Sequence, residues 1–126
     1  MPISAVVRRS VRRRAGYRCE YCGLSQDELP LVTCHVEHVI SRQHEGSDDE
    51  SNLCLACHWC NFHKGPNIAS REAGQLVPLF DPRTQVWSEH FERRGELIVG
   101  RTPIGRVTVR VLNMNDDDRR ELRRTM

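Results

Sequence analysis

Two C-x-x-C pairs, Cys19–Cys22 and Cys57–Cys60, constrain this chain more than any other feature. A gap of two residues lets one turn present both thiolates to a single ion, and two such turns complete a tetrahedral shell. The pairs are 34 residues apart, more than a simple ribbon holds, so a small structure must fit between them. The competing reading, a pair of disulfides, is disfavoured by the poor geometry of a bridge within C-x-x-C and by a reducing compartment. The spacing therefore predicts a structural Zn2+ on Cys19, Cys22, Cys57 and Cys60. A metal also suits the composition: 126 residues with 38% hydrophobic and 6% aromatic content bury little core unaided. Cys34 and Cys54 fall in predicted strands and are assigned to packing.

A compartment follows from what is missing. No stretch approaches the ~18 apolar residues needed to cross a bilayer. The opening MPISAVVRRS has neither a long apolar run nor a cleavage signal. The expectation is a cytoplasmic protein with no membrane partner.

Along the chain, Ser4 caps a helix carrying Val6, Val7 and Val11 that ends at Gly16. Residues 31–40, LVTCHVEHVI, read as a strand, SRQHEGSDDES as a loop, NLCLAC as a second strand, and HWCNFHK as a helix stopped by Gly65-Pro66. Further on, VWSEHFE and ELIVGRT pattern as a hairpin closed near Arg94-Gly95. Thr102-Pro103 opens a helix to about residue 113, and DDDRRELRR starts a last one. The partition is one domain, 1–126, with a core at about 17–66 and an α/β extension at about 67–126. The fold class is α+β: a small zinc-stabilised core behind a basic N-terminal helix.

Net charge is only +2, but its signs are segregated. Arg8, Arg9, Arg12, Arg13, Arg14 and Arg18 crowd the N-terminus, and a compensating acidic run occupies residues 45–50. Such separation points to a face for a polyanion. The plainer alternative is a solvated helix surface.

Between the cysteine pairs, an acid–histidine doublet ends one strand, Asn-Leu opens the next, and an asparagine follows the last cysteine. Glu37-His38, Gly46, Asn52-Leu53 and Cys57 through Asn61 to Lys64 resemble, in order and spacing, the signature of the HNH endonuclease family. The resemblance covers about two fifths of the chain. It implies a ββα-metal fold, two strands and a helix around a divalent ion, and it implies roles. Glu37 and Asn61 correspond to ligands of a catalytic Mg2+ or Mn2+, and His38 to the general base. Asn52 corresponds to the residue that steadies loop and base, and Lys64 to a catalytic contact near the scissile phosphate. The chemistry agrees. A neutral imidazole takes a proton near pH 7, and a hard cation on oxygen donors relieves charge on a departing oxygen.

Strand alternation sets Glu37 and His38 on opposite faces unless the strand ends there, and it puts His35 on the face of Glu37. His35 is thus held in reserve as a metal ligand. His63, two residues past Asn61, turns away from it and is expected to contact DNA. The expected nucleic-acid surface is Arg8, Arg9, Arg12, Arg13, His63 and Lys64. Trp59 is expected to pack over the metal site, and His44, His58 and His90 receive no role.

The leading expectation is a metal-dependent endonuclease hydrolysing phosphodiester bonds in DNA. Beside it stand a non-catalytic zinc-stabilised nucleic-acid-binding module and, more weakly, a structural zinc domain that binds a protein through its extension.

Overall fold

A computed structural model describes residues 2–126. The architecture is α+β, with three antiparallel two-stranded sheets among the described residues.

Helix α1 (Ala5–Arg14) starts where its cap predicts, the Val7 N–H donating to the Ser4 hydroxyl at 3.3 Å. Val11 points inward and is fully buried. Gly16 and Tyr17, both at positive φ, turn the chain into the first knuckle. There the Cys19 N–H meets the Leu24 carbonyl at 2.9 Å.

Strands β1 (Cys34–His38) and β2 (Leu53–Cys57) pair antiparallel, with Cys34 opposite Cys57, Glu37 opposite Cys54 and His38 opposite Leu53. β1 is shorter than the span 31–40 because Val32 closes a turn on Leu29, around Pro30, before the ladder begins. Helix α2 (His58–Lys64) follows β2 directly. Its cap is Cys57, whose sulfur accepts the Cys60 N–H at 3.4 Å. Strand, loop, strand and helix thus follow in the order read from the sequence.

Past residue 67 the chain makes hairpin β3 (Ala69–Glu72) and β4 (Gln75–Pro78), then α3 (Trp87–His90), β5 (Phe91–Arg94), β6 (Leu97–Gly100), α4 (Pro103–Val111) and α5 (Asp117–Arg124). The β3–β4 hairpin has no counterpart in the sequence reading. It turns through Ala73 and Gly74, both at positive φ, as a tight two-residue loop requires. The second hairpin forms as expected from Phe91 onward, but Trp87–His90 winds into a helical turn. Its cause is Trp87, which stacks on Phe91 at 5.1 Å and donates its indole N–H to the Tyr21 carbonyl at 2.8 Å.

The buried hydrophobic residues form one cluster. Val11, Tyr21, Leu24, Leu53 and Leu55 from the first half join Phe80, Phe91, Ile98, Val107 and Leu112 from the second. The extension therefore packs on the β1–β2–α2 unit and shares its core.

Candidate metal centre and cleft

The sulfurs of Cys19, Cys22, Cys57 and Cys60 lie within 4.8 Å of one another, and all four residues are buried. Metal–sulfur bonds of about 2.3 Å in a tetrahedron put the sulfurs about 3.8 Å apart. The Cys22–Cys57 separation is 3.6 Å. Knuckle amides add support: the Cys22 N–H donates to Cys19 Sγ and the Cys60 N–H to Cys57 Sγ, each at 3.4 Å. Burial pushes the Cys19 and Cys60 thiols well above their ordinary value, while hydrogen bonds from Cys19, Cys57 and Cys60 hold Cys22 well below it. Four buried thiolates can coexist only around a cation. The donor set fits a thiophilic divalent ion.

Cys34 and Cys54 stay outside this group. Both are buried in the hairpin, and burial raises each thiol to about 12, the behaviour of packing residues.

Beside the knuckles a cleft of about 240 Å³ opens between hairpin and helix, and Tyr21, Glu37, His38, Asn61 and Lys64 are on its walls. Glu37 and His38 share it because β1 ends at His38, where alternation lapses. Glu37 and Asn61 make no side-chain hydrogen bond or ion pair among the described residues, so their oxygens are open donors within the cleft. His38 is held differently: its Nε2 lies 2.8 Å from Asp48 Oδ1. Arg42 Nε donates to the same oxygen at 3.0 Å. The bonds from His38 and Arg42 lower the Asp48 pKa, so an ionised carboxylate faces the ring. A carboxylate accepts only, so it fixes the proton on Nε2 and leaves Nδ1 as the basic nitrogen.

Asn52 ties the connecting loop. Its Oδ1 accepts the Ile40 N–H at 2.9 Å, and its Nδ2 donates to the carbonyls of Ile40 (2.9 Å) and Ser47 (2.8 Å). Gly46 lies so close that an added Cβ would fall 1.7 Å from the Ile40 oxygen.

Lys64 is buried and its ammonium donates to the Val39 carbonyl at 2.8 Å, with burial lowering its pKa. It ties the end of β1 to α2 from the wall of the same cleft. His35 is exposed and off the walls of the cleft. His63 packs edge-on against Phe62 at 5.3 Å. Trp59 lies against His58, the rings tilted with centroids 3.9 Å apart, and sits 5.9 Å beneath the Arg119 guanidinium. On α1, Arg9 and Arg13 are exposed and Arg12 is half-buried, while Arg8 Nε donates to the Ile3 carbonyl at 3.1 Å. Arg14 donates to the Leu53 carbonyl at 2.7 Å, which brings the end of α1 to the neighbour of His38 across the hairpin.

Sequence reasoning missed Asp48, Arg119 and Glu20. Asp48 was visible only as part of an acidic run. Glu20, inside the first knuckle, accepts the Leu55 N–H at 2.7 Å and pairs with Arg83.

Residues 19–67 match the HNH endonuclease family model. Comparison with curated proteins and with solved structures gives no match. The HNH segment runs from the first cysteine ligand to just past α2, so it contains both the sulfur centre and the cleft. The match over this segment implies a function related to nucleic acid. Among the described residues, no helix is long and apolar enough to cross a membrane.

Proposed function

We propose that this protein is a metal-dependent endonuclease that hydrolyses phosphodiester bonds in DNA, folded as one domain around a structural zinc ion. What supports the reading is the cleft shared by Glu37, His38 and Asn61, with His38 held by Asp48 through Nε2. Nδ1 of His38 takes the proton of an attacking water, and Asp48 steadies the imidazolium that forms. Glu37 and Asn61 offer oxygen donors to Mg2+ or Mn2+, which suits them better than zinc. When bound, that ion supplies positive charge for the departing 3′-oxygen. Asn52 positions His38 and Asp48 by holding the loop between them. The exposed arginines of α1 hold the DNA backbone. Paired thiols kept for a metal suit a reducing compartment, and we place the reaction in the cytoplasm.

The test is nicking of supercoiled plasmid with Mg2+ or Mn2+, comparing wild type with His38→Ala. The variant is expected to lose about 10²–10⁴-fold in rate with its fold intact by circular dichroism. Undiminished nicking removes His38 as the base. No cutting by the wild type with any divalent ion favours the zinc-stabilised binding module.

A further inference from the structure

The HNH match stops at residue 67, yet the sulfur centre is closed by the far end of the chain. Arg119 on α5 is fully buried, and each of its nitrogens is bonded. Nη1 donates to Cys60 Sγ at 3.1 Å, Nη2 to the Leu112 carbonyl at 2.6 Å and to the Asn113 carbonyl, and Nε to Asp116 Oδ2 at 2.6 Å. Arg123, one turn further on, is also buried. Its Nη1 donates to the Glu96 carbonyl at 2.9 Å and its Nη2 to the Met114 carbonyl at 2.5 Å. Its buried Nε has no hydrogen-bond partner among the described residues, and the side chain borders the same cavity as Cys19 and Cys22.

Guanidinium groups do not deprotonate in proteins, so two of them enclosed here demand counter-charge. Among the described residues, Asp116 is the only carboxylate bonded to either. Four thiolates around one divalent ion carry two negative charges in excess, in the same buried region. The two requirements meet. A sulfur that accepts an N–H bond also gives up part of its charge, which makes it slower to protonate and slower to leave its metal.

We propose that α5 is an outer clamp on the metal centre. Arg119, through its bond to Cys60, and Arg123, beside Cys22, act as positioning residues that recognise the charged four-thiolate group. The inference rests on the reading of the four cysteines as a metal centre.

The full wild-type chain, loaded with NMR-active cadmium, tests both. A cadmium resonance in the four-thiolate range, correlated through hydrogen bonds with guanidinium protons of Arg119, is the expected result. A four-thiolate resonance with no Arg119 correlation overturns the clamp alone, and absence of any four-thiolate resonance overturns the metal centre and the clamp with it. Metal transfer from the cobalt-loaded protein to a chelator gives a second reading. Arg119→Met should release cobalt about tenfold faster or more, with a shifted sulfur-to-cobalt charge-transfer band, and Arg119→Lys should recover part of the loss. Arg119→Met with band and rate within twofold of wild type overturns the clamp.

Discussion

Gly46→Ala offers a stringent probe of the loop that carries Asp48. The new Cβ would meet the Ile40 oxygen at 1.7 Å, half the 3.4 Å at which ordinary contact begins, and Asn52 Nδ2 at 2.9 Å. The first obstacle is backbone, so no side-chain rotation relieves it, and the loop has to move away. That movement breaks the Gly46 N–H bond to the Ser41 carbonyl (2.9 Å) and strains both Asn52 bonds to Ile40. At about 1 kcal/mol net for each of three hydrogen bonds, the loss of stability is about 2–3 kcal/mol. The same shift carries Asp48, two residues on, away from His38. Urea unfolding of the metal-loaded protein measures the first effect, and single-turnover plasmid nicking the second. Gly16→Ala is the control: its φ is +63° but nothing lies within 4 Å of the added atom. It should cost about 1 kcal/mol through backbone strain and leave nicking unchanged. A Gly46→Ala protein within about 0.5 kcal/mol of wild type that nicks at the wild-type rate would falsify the account of the loop.

Asp48→Asn keeps the shape but removes the ionised acceptor of His38, so single-turnover nicking should fall by about tenfold, less than for His38→Ala; an unchanged rate would show that the pair is structural only. Cys60→Ser removes one sulfur ligand and the acceptor of Arg119, and metal analysis of the purified variant should find substoichiometric zinc with a lowered melting temperature; full zinc occupancy would sink the four-thiolate assignment. Glu96 is held by Arg124 and Arg120, which lower its carboxyl from 4.5 to about 2. A depressed folded-state value means that its contribution to stability is present above the ordinary carboxylate value and is lost as the pH falls through about 2. NMR titration of the side-chain carboxyl should show Glu96 still ionised at pH values where other glutamates have protonated, and an ordinary midpoint would refute the pairing.

What could be read in advance follows a physical divide. The knuckles, the caps at Ser4 and Thr102, and the strand–loop–strand–helix order depend on neighbours a few residues apart, and spacing records such neighbours directly. Asp48 was illegible because an acid in a run of acids has the pattern of a solvated charge. Its contact with His38 depends on how the intervening loop folds back. The β3–β4 hairpin was hidden by Ala73, since nothing in alanine signals a left-handed turn residue. Arg119 falls in the first turn of α5 and Arg123 in the last, where a basic residue suits the helix dipole, and neither place signals burial. Their burial comes from packing against cysteines 59 residues away in the case of Arg119 and Cys60, and no local pattern carries that distance. The place of Lys64 after Asn61 put it near the site, but its bond to the Val39 carbonyl depends on where β1 ends, which spacing does not record.

The separation of 59 positions from Cys60 to Arg119 also separates two events in time. At ribosomal rates of about 5–20 residues per second, the ligands precede the arginine by about 3–12 s. For that interval a nascent chain can gather its ion while the sulfurs remain exposed to competing metals and to oxidants. Arrival of α5 then closes the window. On the proposed clamp, the contact that steadies the centre is also the last part of it to be synthesised.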